Sequence, residues 1–391
     1  MLKLMMKIDK RKRVWLFSTA ILIIILCLFG LVFSGCAGIR GQTAPGGWSG
    51  GTVAGNMLVL GSMDGRIVSV NMTAGRLEWA ETLEAEPSSS LFGCTPASTA
   101  VAIYGSPVVV GDLVYVGGYN GRVYAISTST RLSNYQYLRK SEKAAAHPII
   151  GGLIIESGRI YTGSSDGYVY ALDAVSLDYV WEEAFKTEGR IWSTPVINGD
   201  TLFIGSFDKK LYAIDTATGK AKWDEPFETE GSIAATPVVY DNTVYVSSFD
   251  KYLYAIDATS GREKWKFEAD NWFWAKPVIY NNVIYAGCLD GWLYILNAGN
   301  GNEIQRIDMG NPVSSSPILA GDRIIIATEI GGVYVIDAGS NLKKMLVSLD
   351  EKVNAALVAN KGIVYVHTAE DNLYAIDIQS GAKTEIKIKS E

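Results

Sequence analysis

At 391 residues, with 41 acidic against 35 basic side chains and a formal charge of −6, the chain is a poor candidate for holding nucleic acid or anionic lipid through its body. Its 40 glycines, 21 tyrosines and 10 tryptophans suit many short strands joined by tight turns. Length alone would suggest two domains, but a single repeated unit makes one closed body the better expectation.

Residues 1–13 carry Lys3, Lys7, Lys10, Arg11, Lys12 and Arg13 against Asp9, and residues 14–33 contain no charge. This pattern predicts an export signal. It ends in Phe33-Ser34-Gly35-Cys36, which resembles a bacterial lipobox, with Cys36 as the lipid-bearing residue and new N-terminus. The apolar run is also long enough to span a bilayer, so an uncleaved anchor is the alternative. Either way the rest of the chain is expected outside the cytoplasm, in the cell envelope and tethered to a membrane. Cleavage would remove a net +5 and take the formal charge from −6 to −11. Residues 37–47, AGIRGQTAPGG, have the composition of a flexible tether.

From residue 48 onward close copies of one unit follow each other. In its clearest form, residues 193–223, it reads STPVINGDTLFIGSFDKKLYAIDTATGKAKW. Pro195-Val196-Ile197 predicts a first short strand. Leu202 to Ser206 predicts a second, Leu211 to Ile214 a third, and Lys222-Trp223 opens a fourth. The turn between the second and third is Asp-Gly in sister copies, the pair that tolerates the positive φ of tight hairpins. That turn falls at Asp64, Asn120, Asp166, Asp208, Asp250, Asp290, Ile330 and Asp371, a period of about forty residues, the size of one propeller blade. Tryptophan recurs in the fourth strand at Trp79, Trp181, Trp223 and Trp265 and is expected to cement blade to blade.

One four-stranded sheet with two apolar faces must be covered on both sides, and closing the row into a ring covers them all. The expected fold is therefore all-β, an eight-bladed propeller of four-stranded antiparallel blades over residues 48–391, after a signal at 1–36 and a tether at 37–47. The last copy carries material for its own fourth strand near residues 384–389, so closure by direct packing of blade one on blade eight is expected.

Two insertions interrupt the period. One lies near residues 84–102, and the other, residues 131–147, carries Arg131, Arg139, Lys140 and Lys143. Excursions of this kind from a rigid scaffold are where binding usually resides, although plain solvated loops are the alternative. Besides Cys36, Cys94 and Cys288 are expected as free thiols, since they fall in different parts of the ring.

Three residues before the Pro of each first strand, or its equivalent, the copies read Trp48, Tyr104, Ile150, Trp192, Ala234, Trp274, Ser314 and Asn354. First strands line the channel of a propeller, so these side chains should ring one mouth of it. Four are Trp or Tyr where sister blades manage with Ala or Ser. Glu188, Arg190, Trp272, Phe273 and Lys276 lie in the same loops. Such a rim could stack on a ligand or clasp an extended peptide; the alternative is that bulky side chains merely plug the hole.

The units TPVINGDTLFIGSFDKKLYAIDTATGKAKW and TPVVYDNTVYVSSFDKYLYAIDATSGREKW resemble the repeat of pyrroloquinoline quinone-type eight-bladed propellers. Two unlike groups share that repeat: quinoprotein dehydrogenases, and the BamB family of outer-membrane assembly lipoproteins, which are non-catalytic. Enzymes of the first group carry an adjacent cysteine pair and a calcium-binding Asp, Asn and Glu set. This chain has no Cys-Cys pair and only His147 and His367, and it shows no Walker-type loop, Ser/His/Asp arrangement or Cys/His metal spacing. The resemblance therefore implies a non-catalytic protein-interaction scaffold without cofactor or metal, monomeric, lipid-anchored, and partnered with the β-barrel assembly machinery or another envelope protein. It implies partner contacts from the loops KTEGRIWS (residues 186–193) and ETEGSIAA (residues 228–235). A surface-tethered module that binds a peptide, glycan or small molecule is the alternative, and a quinoprotein dehydrogenase the third reading.

Overall fold

A computed structural model describes residues 47–83, 101–138 and 147–389. The export segment with Cys36, the tether up to residue 46, Cys94, residues 84–100 of the first insertion, and Arg139, Lys140 and Lys143 of the second lie outside the described residues.

Eight four-stranded antiparallel sheets follow one another at residues 51–82, 108–137, 153–186, 196–228, 238–268, 278–308, 318–348 and 358–386. In each, the strands lie side by side in chain order. First strands of neighbouring sheets pack against each other at most steps of the row, and those of the first and last sheets do the same. The row is thereby an eight-bladed propeller, with first strands around a central channel.

Blade four shows why this sequence makes a blade. Its strands are Val196–Asn198, Thr201–Gly205, Lys210–Asp215 and Phe227–Glu228. Leu202, Phe203 and Ile204 are all at most 1% exposed. Successive strand residues face opposite sides, so both faces of the sheet are covered by neighbours. Lys209 holds the hairpin turn at φ 74, where five sister blades place glycine at positive φ, from Gly65 to Gly331. Glycine adopts that backbone without a Cβ clash.

Two expectations about the unit need correction. The alignment selects Asp371 as the last turn residue, but Tyr374 pairs with Val366 as Tyr212 pairs with Ile204. Glu370 is therefore the counterpart of Asp208, and Asp371, at φ 61, that of Lys209. Nor does a regular fourth strand open at Lys222-Trp223. Ala221 makes only an isolated bridge to Ile214, and the ladder resumes at Phe227–Glu228. Between Trp223 and Phe227 stand Asp224-Glu225-Pro226, whereas Lys266 alone separates Trp265 from Phe267. Pro226 has no N–H to give a ladder, and the extra residues arch out. Blade three repeats the break between Trp181 and Phe185.

Neighbouring blades are joined by the repeated tryptophans. The indole N–H groups of Trp181, Trp223 and Trp265 donate to the carbonyls of Thr216, Ala258 and Ala298 in the next blade, at 3.0, 3.1 and 3.0 Å. Their rings abut the turn of that blade so closely that a Cβ on Gly261 would lie 2.7 Å from Trp223 Cδ2. At Trp79 the matching turn carries Arg131, whose guanidinium sits 4.5 Å from the indole centroid. This places Arg131 as an inter-blade contact, not as part of a free basic loop. A second joint is apolar: Ile233, fully buried, occupies the space beside Gly205, where a Cβ would fall 2.1 Å from its Cγ2.

The ring closes without strand exchange, by packing of blade one on blade eight. Blade eight has its own outer strand, Lys383–Ile386. Leu58, Leu60, Val68 and Val70 pack on Tyr365, Leu373, Ile386 and Ile388. Polar contacts lock the same seam. His367 Nδ1 lies 3.1 Å from the Ser49 carbonyl and Nε2 lies 2.9 Å from Asp371 Oδ1, which also accepts the N–H of Met63.

Candidate functional site

The eight positions before the first strands all line one cavity of about 330 Å³ at the channel mouth. Trp48, Tyr104, Trp192 and Trp274 therefore share a single concave surface, although they come from four blades.

On one side Trp48 meets Tyr104 edge-on, with ring centroids 4.6 Å apart, and Tyr104 touches Tyr119 at 5.6 Å. Burial raises the pKa of the Tyr104 phenol, and the neighbouring Tyr119 adds to the shift. On the other side an aromatic run crosses blades four to six. Trp192 packs on Phe207 at 4.4 Å, and Phe207 meets Phe249 at 6.0 Å. Phe249 then stacks on both Trp272, at 4.9 Å and 14°, and Trp274, at 5.3 Å and 12°. Trp272 remains 43% exposed.

Tyr119, Phe207 and Phe249 escaped the sequence reading, although the same comparison finds them. They sit immediately before the turn residue, where sister blades hold Met63, Ser165, Leu289 and Glu329. That position needs no aromatic for the hairpin.

Phe273 does not belong to the rim. It is fully buried in the core with Tyr245, Trp265 and Tyr294. It occupies the position of Ile191, Ile233, Val313 and Val353, each fully buried in its own blade. Successive residues of an extended chain face opposite ways, so Trp272 and Trp274 both turn onto Phe249, with Trp274 lining the mouth, while Phe273 turns inward.

The charged candidates fare differently. Glu188 pairs with Lys210 at 2.8 Å, and that contact lowers its carboxyl pKa. Its own N–H donates to Asp208 Oδ2 at 2.8 Å. Arg190 is exposed, and among the described residues its guanidinium makes no ion pair. Lys276 lines the channel, open to its water yet surrounded by wall, and this crowding lowers its pKa by desolvation.

Other reactive side chains are tied into the fold. Cys288 is buried, and its thiol lies 3.2 Å from the Asn271 carbonyl, with its pKa pushed up to about 12 by burial. His367 is held between two acceptors at the seam. Among the described residues no group of three or more His, Cys, Asp or Glu is placed to hold a metal ion. The mouth offers aromatic faces and the channel ammonium of Lys276, with the exposed Arg190 in the loop beside Trp192, groups suited to stacking and to charge pairing.

Comparison with known proteins agrees with this architecture. A family model described as outer membrane protein assembly factor BamB matches residues 40–183 and 165–384. Outer membrane protein assembly factor BamB of Kangiella koreensis is 25% identical over 157 residues, 40% of this chain and 34% of that protein. The Yersinia pestis protein of the same name is 27% identical over 161 residues, 41% and 36% of the two chains. The match thus spans about a third of the length of these relatives. Among solved structures, BamB from Moraxella catarrhalis superposes with a TM-score of 0.66 at 17% identity, covering 88% of this chain and 95% of its own. The computationally designed Ika8 protein reaches 0.68 at 14% identity, covering 85% and 96%. At such identities the superpositions speak for the fold alone.

Proposed function

The chain belongs to the family of outer membrane protein assembly factor BamB, and from that premise we propose that it is a non-catalytic scaffold in the assembly of outer-membrane β-barrel proteins. It works in the cell envelope, tethered through Cys36, as a single propeller. The observation that carries this reading is the aromatic run from Trp192 through Phe207 and Phe249 to Trp272, beside the unpaired Arg190. Folding alone does not call for Trp272, which is 43% exposed. Tryptophan and arginine are the residues that dominate protein interfaces, because each removes a large surface from water and keeps a polar handle. The loops of residues 186–193 and 228–235 flank this run and are held rigid. Thr187 Oγ donates to Gly167 O and Thr229 Oγ to Lys209 O, at 2.8 and 2.9 Å. A rigid loop spends little of its binding energy on ordering.

The test is capture of the full lipidated chain from its own membranes in mild detergent, with mass spectrometry of what accompanies it. A β-barrel insertase subunit should co-purify and should be lost from Arg190→Ala and Trp272→Ala proteins that remain folded. Recovery of a partnerless propeller, or capture indifferent to both substitutions, overturns the proposal.

A further inference from the structure

Below the aromatic rim the channel narrows to a second ring, one residue before the Pro of each first strand. Seven blades place Gly, Ala, Ser or Thr there, and blade six alone places Lys276. Packing explains the small residues. A Cβ on Gly50 would lie 2.6 Å from Ser106 Oγ and 2.9 Å from Ala356 Cβ, and one on Gly152 would lie 2.8 Å from Thr194 Oγ1. Neighbours in this ring touch side to side, so the strand register gives no reason for a long side chain.

Charge makes the lysine stand out further. Among the described residues lining the cavity there is no Asp or Glu, and Lys276 takes part in no ion pair. The channel walls lower the pKa of its ammonium by desolvation although the side chain still reaches channel water, and the threonine of blades four and five shows that the position is filled without a charge. Trp192, which also lines the cavity, has an indole N–H that is buried without an acceptor. Two donors thus stand without protein acceptors at a cavity lined by aromatic rings together with Ser and Thr hydroxyls and glycine backbone.

We propose that the channel neck is a binding site for one carboxylate carried on an apolar group, the carboxylate pairing with Lys276 and the apolar part lying against the indoles of Trp192 and Trp274. The ligand is the free end of a polypeptide or a small aromatic acid, which present the same chemistry. This site goes beyond the assembly role and does not depend on it, since its charge comes from Lys276 and the partner face takes its charge from Arg190.

Calorimetry on the full chain tests it with three probes: an acetylated hexapeptide ending in leucine with a free carboxylate, its C-terminal amide, and phenylacetate. The unaltered protein should hold the peptide acid about ten-fold or more tighter than the amide, the discrimination of a partly desolvated ion pair. Lys276→Met keeps the apolar stem and should abolish that preference while leaving the melting temperature unchanged or raised. Trp192→Ala should weaken acid and amide equally. Phenylacetate binding as well as the peptide identifies a small acid as ligand, and binding of the peptide alone identifies a chain end. Equal affinity for acid and amide on the unaltered protein, a preference that survives Lys276→Met, or no binding of any probe overturns the proposal. The first comparison needs no variant to fold.

Discussion

The phenol of Tyr254 donates to Asp250 Oδ2 at 2.9 Å, and the same oxygen accepts the N–H of Glu230 at 2.8 Å from the loop that arrives from blade four. The turn aspartate thus clips its own third strand to the incoming chain. Tyr170 and Asp166, Tyr212 and Asp208, and Tyr294 and Asp290 repeat the contact at 2.7, 2.8 and 2.8 Å. Replacing Tyr254 with Phe removes a hydrogen bond to a charged acceptor and should cost about 1.5 to 3 kcal/mol. Asp250→Ala orphans both donors and should cost more; equal urea midpoints for the two variants would contradict the clip.

The same contacts set the alkaline limit. Burial first, and then the partner aspartates, push the phenols of Tyr170, Tyr212, Tyr254 and Tyr294 above their ordinary value of 10.0. Folded phenols therefore hold their protons where unfolded ones release them. The stabilisation they supply is complete below pH 10 and is lost as pH rises beyond it. Ionisation followed at 295 nm should leave these tyrosines neutral until the chain unfolds, with the two transitions coincident.

Blade-to-blade joints predict a second group of effects. Trp223→Ala removes a buried indole and its bond to Ala258 and should cost about 3 to 5 kcal/mol. Gly205→Ala would drive a methyl into Ile233 and should cost about 1 to 3 kcal/mol. Trp274→Ala, at the rim, should leave thermal stability near that of the unaltered chain and weaken partner capture. A collapse of the fold on that substitution would move Trp274 into the core.

At the seam between the first and last blades, His367 faces the Ser49 carbonyl with one ring nitrogen and Asp371 with the other. His367→Phe removes a hydrogen bond from a buried carboxylate and should cost about 1.5 to 3 kcal/mol. Hydrogen exchange is the discriminating measurement: the amide of Met63, which donates to Asp371, should lose protection well before the amides of blade four.

Cys288 supplies a chemical check on the core. With its thiol buried and its pKa raised to about 12, it should resist iodoacetamide at pH 8 and react fully in urea, as read by mass spectrometry of its own peptide. Labelling in the folded state would place that segment nearer the surface than its packing with Tyr294 allows.

The candidate site was half legible. Comparing copies position by position found Trp48, Tyr104, Trp192 and Trp274, because a bulky residue where sister blades hold Ala or Ser signals a demand other than strand register. The same comparison, carried one residue aside, separates Phe273 from its neighbours: that column reads Ile191, Ile233, Val313 and Val353, a core column. Phe207 and Phe249 are not marked out by turn chemistry, because a tight hairpin constrains the backbone at that position and not the side chain.

The sequence by itself determined the period, the blade and the ring of eight, since strand alternation, turn chemistry and the need to cover two apolar faces act within one unit or between adjacent ones. Tertiary structure alone decided the rest. It brought Phe249 between Trp272 and Trp274, set Arg131 over Trp79, tied Glu188 to Lys210, and left Lys276 without a carboxylate. Those relations join residues on different blades, and their distances depend on how far each blade is rotated around the channel, a quantity that no single repeat encodes.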